Sequence, residues 1–84
     1  MSKFPKIIRR STIQARLPIS TTAIYERIKL GTFPPNIHLG GRAVGWIESE
    51  VDAVMQAMIS GADHESLEQL VSDLVANRNA PQRD

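Results

Sequence analysis

Hydroxyl and basic side chains crowd one short stretch, Ser20-Thr21-Thr22-Ala23-Ile24-Tyr25-Glu26-Arg27-Ile28-Lys29, of an 84-residue chain. At helical spacing Thr21, Thr22, Tyr25, Glu26 and Lys29 lie on the polar side, Ala23, Ile24 and Ile28 on the apolar side, and Arg27 near the boundary. Hydroxyls and cations at the start of a helix suit the hydrogen bonding of phosphate oxygens and polar base edges, helped by the unpaired N–H groups of the first turn. Farther on, Arg42 follows Gly40-Gly41, the composition of a tight turn that presents a guanidinium.

Catalytic chemistry has no comparable support. His38 and His64 are the only histidines, fall on different elements, and lack neighbours at acid–base or metal-ligand spacing. There is no cysteine, which removes disulfides and thiolate metal sites and suits a reducing cytoplasm. No helix begins directly after Gly40-Gly41, so these glycines do not form a phosphate-cradling loop. A binding protein is expected rather than an enzyme, with no metal, cofactor or small-molecule ligand.

Charge is divided along the chain. Up to residue 45 eight basic residues, Lys3, Lys6, Arg9, Arg10, Arg16, Arg27, Lys29 and Arg42, face the single acid Glu26, a net +7. From residue 46 onward Arg78 and Arg83 face eight acids, a net −6. Either the basic half binds a polyanion, or basic and acidic helices pair and cancel.

The elements that must position these groups can be read from caps and breakers. Ser11 with Gln14 has the capping-box pattern, so a short helix should start near Ser11 and run toward Arg16, with Ile13 and Leu17 inward, until Pro18 stops it. Ser20 is a good N-cap for a second helix, and Gly31 sits where a left-handed C-terminal cap belongs. Two short helices joined by a tight turn outline a helix-turn-helix.

After Phe33-Pro34-Pro35, Ile37 and Leu39 alternate with Asn36 and His38, and Val44 and Trp46 alternate with Ala43 and Gly45, which predicts a β-hairpin. A two-residue turn at Gly40-Gly41 or a four-residue loop from Gly40 to Ala43 would put Ile37, Leu39, Val44 and Trp46 on one face, packed on the helices. Arg42 then sits at the tip of a wing beside the second helix.

The stretch PISTTAIYERIKLGTFPPNIHLGGRAVGWIESEVDAVM resembles the AlpA family of phage and prophage regulators, small DNA-binding proteins related to excisionases and to the MerR-type winged helix. The family pattern appears here as Ser20, Ile24-Tyr25, Gly31, Phe33-Pro34, Leu39-Gly40-Gly41-Arg42, Trp46 and Ser49-Glu50-Val51. Two positions depart from it. The arginine that usually follows Ile-Tyr is Glu26, with Arg27 next, and the usual glycine of the helix–helix turn is Pro18. Glu26 would either accept from a cytosine amino group or pair with a neighbouring lysine.

The rest of the chain reads as two helices. One carries Val51, Val54, Met55, Met58 and Ile59 at helical spacing, with Glu48, Glu50 and Asp52 in its first turn, where the helix dipole favours acids. The other is capped by Asp63 and carries a stripe of Leu67, Leu70, Val71, Leu74 and Val75. That stripe either packs on its own domain or forms a homodimer.

The fold expected is mainly α with a small β-hairpin: a winged helix-turn-helix over 1–61, an additional C-terminal amphipathic helix over 62–78 for packing or dimerisation, and a flexible tail over 79–84. The partner is double-stranded DNA, met by the helix from Ser20 to Leu30 in the major groove and by the wing 36–46 on the backbone or minor groove. Candidate contact residues are Arg9, Arg10, Arg16, Ser20, Thr21, Thr22, Tyr25, Arg27, Lys29 and Arg42. The resemblance implies transcriptional control in a prophage or integrated element, with excisionase-like bending of DNA as the alternative, in a bacterial cytoplasm and in contact with the nucleoid. A protein-interaction module, adaptor or antitoxin-like and acting through the C-terminal stripe, is the alternative of another class. No apolar run is long enough to span a membrane, and the opening residues lack the pattern of a signal peptide.

Overall fold

Helix ends and one tryptophan organise the chain. In chain order the elements are β1 (Ile7–Ile8), α1 (Arg10–Arg16), α2 (Thr21–Leu30), β2 (Ile37–Gly40), β3 (Ala43–Ile47), α3 (Glu48–Ile59) and α4 (His64–Arg78). The structure is a computed structural model that describes residues 6–78, so the tail expected over 79–84 lies outside the described residues. It is mainly α with a small antiparallel sheet, the fold class expected.

The α2 caps form as the residue types dictate. Ser20 Oγ accepts the Ala23 N–H at 3.1 Å, and Gly31 adopts a left-handed φ of 81° that brings its N–H to the carbonyls of Arg27 and Ile28. Asp63 caps α4 by accepting the Ser66 N–H at 2.9 Å, and this bond holds its carboxyl below the usual aspartate range. At α1 the outcome differs. The helix begins one residue early, at Arg10, without a side-chain cap. Gln14 Nε2 donates instead to the Ile19 carbonyl at 3.0 Å and Thr21 Oγ1 at 3.3 Å, which ties α1 across the turn to the start of α2.

The sheet has the order β1-β3-β2. Strand β1 had no periodic signal, because two residues cannot display an alternation; it exists because Ile7 and Ile8 pair with Ile47 and Trp46. In the hairpin Ile37 faces Gly45, His38 faces Val44 and Gly40 faces Ala43, so the turn is Gly41-Arg42 and a bulge falls at Leu39. This overturns the single apolar face expected for Ile37, Leu39, Val44 and Trp46. Ile8, Val44 and Trp46 line the inner face with His38, whereas Ile37, Leu39, Ile7 and Ile47 share the outer face with Gly45. One bulged residue is enough to exchange the faces, because side chains alternate with period two.

One core lies between the sheet's inner face and the helices. Trp46, Phe33, Ile13, Ile24, Val51 and Val54 are wholly buried, and Ile8, Leu67 and Val71 complete the cluster. Burying each such side chain stabilises by about 1.5–3 kcal/mol. Leu67 and Val71 come from α4, with Leu70, Leu74 and Val75 half-buried against the same cluster, so the C-terminal stripe packs on its own domain. Met55 and Met58 are half-buried, but Ile59, placed inward by spacing, is 78% exposed at the last turn of α3. Among the described residues no helix is long and apolar enough to cross a membrane.

Gly45 marks the tightest point of the sheet. A Cβ there would lie 2.5 Å from Ile7 Cγ2, 3.1 Å from Leu39 Cδ1 and 3.2 Å from the Ile8 carbonyl oxygen. The side chains can yield, but the backbone oxygen cannot without disturbing the β1–β3 pairing. Gly45→Ala should therefore destabilise the fold by about 1–3 kcal/mol, as overpacking does elsewhere. Denaturant unfolding checks this, and a variant as stable as the parent would show that β1 is not held against β3.

Candidate nucleic-acid interface

Helix α2 buries Ile24 and half-buries Ile28, which turns the opposite side outward. Thr21, Thr22, Tyr25, Glu26 and Lys29 are all exposed there. Thr22, Tyr25, Glu26 and Lys29 are spaced three or four residues apart and so form one continuous face. Glu26 makes no ion pair among the described residues, so the pairing with a neighbouring lysine does not form.

The wing is held to this helix through its tryptophan. Trp46 Nε1 donates to the Pro34 carbonyl at 3.1 Å, and its ring lies 6.3 Å from that of Tyr25, tilted by 57°. Tyr25 therefore rests its ring on the base of the wing while remaining 39% exposed. At the far end, Gly40 and Gly41 take positive φ values of 110° and 55°, a region that favours glycine. Arg42 follows them in the exposed turn.

Arg9 and Arg10, at the start of α1, line one surface cleft together with Ser11 and with Arg42 and Val44 of the wing, and no carboxylate lines it. None of the three arginines forms an ion pair among the described residues. Ser11 belongs to this cleft although the capping pattern had assigned its hydroxyl elsewhere. The convergence itself had no sequence signal, because it depends on how the wing folds back on α1.

Two expected contact residues are placed differently. Arg16 reaches α3, with Nη2 2.9 Å from Glu48 Oε2 and Nη1 3.3 Å from Asp52 Oδ1. Here basic and acidic halves do cancel, as one reading of the charge pattern expected. The Arg16 hydrogen bond holds the Glu48 carboxyl below the ordinary glutamate range, and Glu48 raises the guanidinium in turn. Arg27 is half-buried on the flank facing α4, in a groove shared with Ala23, Glu26, Leu30, Thr32, His64 and Leu67. Ser20 lies at the exposed start of α2, its Oγ already accepting from Ala23.

His38 stands on β2 and His64 at the start of α4, its Nε2 3.6 Å from Glu68. No three His, Cys, Asp or Glu side chains among the described residues are grouped to hold a metal ion.

The family model described as prophage CP4-57 regulatory protein (AlpA) matches residues 6–59, from β1 to the end of α3. An uncharacterized protein, ORF88 of Enterobacteria phage P4, is 49% identical over 43 residues, covering 51% of this chain and 49% of that protein. The chain thus spans about half the length of the curated relative it matches. Helix α4 lies beyond the family match.

The Arg16–Glu48 pair should give stability a pH dependence. A carboxyl whose pKa is lowered on folding contributes fully above its unfolded value, near 4.5, and loses that contribution as pH falls through the lowered folded value. Replacing Arg16 with Gln should flatten the loss of stability below about pH 4.5, measured as the urea midpoint between pH 7 and about pH 3. Identical pH profiles for parent and variant would show that the pair is screened to nothing.

Proposed function

The chain belongs to the AlpA family, and from that membership together with the arginine cleft we propose that it is a sequence-specific DNA-binding regulator of a prophage or other integrated element. The observation that carries the reading is the convergence of Arg9, Arg10 and Arg42 on one carboxylate-free cleft, from two elements distant in sequence. Guanidiniums that share one cleft with no carboxylate partner leave their donors and charge uncompensated, and phosphate oxygens accept charge-assisted hydrogen bonds from such groups.

In this reading α2 enters the major groove, which is wide enough to admit a helix. Thr21 and Thr22, with the unpaired N–H groups of the first turn, meet the backbone at the groove's edge, and Ser20 still has its hydroxyl hydrogen to donate. Tyr25 and Lys29 reach farther along the same face. Glu26 would be repelled by phosphates and belongs over base edges, where a cytosine amino group is the matching donor. Arg42, with Arg9 and Arg10, grips the adjoining backbone or a narrow minor groove. Arg16 is engaged with α3 and stands outside this contact set, and Arg27 lies on the flank of α2 beside α4. A monomer can place α2 and the wing together; a homodimer through α4 would have only the half-buried Leu70, Leu74 and Val75 to use.

A footprint on the DNA flanking the coding region, at near-physiological salt, tests the reading. Discrete protected sites are expected, at a promoter for a transcription factor or at an attachment site for an excisionase-like protein. Salt-sensitive binding to any duplex without protection would contradict sequence specificity. Arg42→Ala should weaken binding to all sequences and reduce the salt slope by roughly one. Tyr25→Ala should instead alter which bases are protected, and an unchanged pattern would remove Tyr25 from the base contacts.

A further inference from the structure

Helix α4 ends in a contact that its packing alone does not require. Arg78 Nε donates to Glu50 Oε2 at 2.7 Å, and its Nη2 serves both Glu50 Oε1 and the Pro35 carbonyl, the latter at 2.9 Å. Glu50 is 4% exposed, and Arg78 is its ion-pair partner among the described residues. The same short segment, Pro34-Pro35, thus receives two donors on successive carbonyls, Trp46 Nε1 on Pro34 and Arg78 Nη2 on Pro35. This segment leads directly into β2, the first strand of the wing.

We infer that Arg78 is a positioning residue for the wing: from a helix beyond the family match, it fixes the Pro34-Pro35 lead-in and so sets where Arg42 meets the DNA. The role rests on the DNA-binding reading above. Prolines at 34 and 35 have fixed φ and no N–H to donate, and Pro34 is buried, so the hydrogen bonds that can anchor this segment further are those its carbonyls accept. Trp46 fixes one of these carbonyls from within the wing, whereas Arg78 fixes the other from outside it. The planar guanidinium suits the task, since it spans a carboxylate and a carbonyl at once with a rigid fork. A lysine can keep the charge beside Glu50 but has no fork to hold both acceptors in one geometry. Glu50 in turn orients Arg78, so a buried carboxylate of α3 and the last described turn of α4 act as one bracket under the wing.

The experiment uses the full chain with Arg78→Ala, Arg78→Lys, Arg42→Ala and the double variant Arg78→Lys with Arg42→Ala. Folding is checked first by circular dichroism and thermal unfolding, and the Lys variant, which keeps a cation beside Glu50, is the one to carry forward if the Ala variant unfolds. Two readouts follow: the indole N–H resonance of the lone tryptophan without DNA, and the salt dependence of binding to the footprinted duplex. Arg78→Lys is expected to shift the Trp46 resonance, weaken binding several-fold and lower the salt slope by roughly one, as loss of the Arg42 contact does. The double variant should bind no more weakly than Arg42→Ala alone, because both changes remove the same contact. An unmoved Trp46 resonance, an unchanged slope, or losses that add in full would each overturn the inference while leaving DNA binding intact. A parent chain that binds no duplex would instead sink the DNA reading, and this role with it.

Discussion

Everything in this small domain depends on how Trp46 is held. Its indole is wholly buried, its N–H is bonded to the Pro34 carbonyl, and its strand is the central one, paired with β1 on one side and β2 on the other. An indole donor buried without a partner would cost the desolvation of a polar group, so the Pro34 carbonyl has to face it. That requirement bends the lead-in to the wing toward the core. It also places Tyr25 against the ring, and through Tyr25 the orientation of α2 becomes linked to that of the wing. The exposed face of α2 and the wing are therefore packed against one another through these two rings.

Electrostatics completes what packing begins. A chain with basic and acidic halves could have neutralised itself, and at Arg16 it does so, across to Glu48 and Asp52 of α3. Arg9, Arg10 and Arg42 are kept out of such pairs among the described residues. The acids of α3 nearest the helix start engage Arg16 and Arg78, and those of α4 lie on a helix whose apolar side packs into the core. Segregation of this kind concentrates positive charge on one part of the surface, the arrangement that would steer the anionic partner proposed above.

Three helix caps could be read from the chain, because in each a single residue acts on its immediate neighbours. Ser20, Gly31 and Asp63 cap their helices as expected, and the AlpA pattern from Ser20 to Val51 pointed to the winged helix-turn-helix that carries the candidate site. Local patterns misled where a side chain had a better partner at a distance. Gln14 abandons the capping box for the Ile19 carbonyl and Thr21, because a bond across the turn also fixes two helices relative to each other. The hairpin faces were misassigned because the bulge at Leu39 adds one residue to one strand, and alternation alone cannot reveal an insertion that the partner strand defines.

The helices, the wing, the family and most of the exposed face of α2 are legible in the chain, since caps, glycine turns and apolar spacing act over a few residues. Which arginines stay available depends instead on contacts between elements far apart in the chain. Arg16 and Arg42 look alike in the chain, but α1 carries the first to the carboxylates of α3, while the wing carries the second to Arg9 and Arg10. The same holds for Arg78, whose partners Pro35 and Glu50 lie 43 and 28 positions away. Charge has long reach and no periodicity, so its pairing is set by the fold and not by spacing.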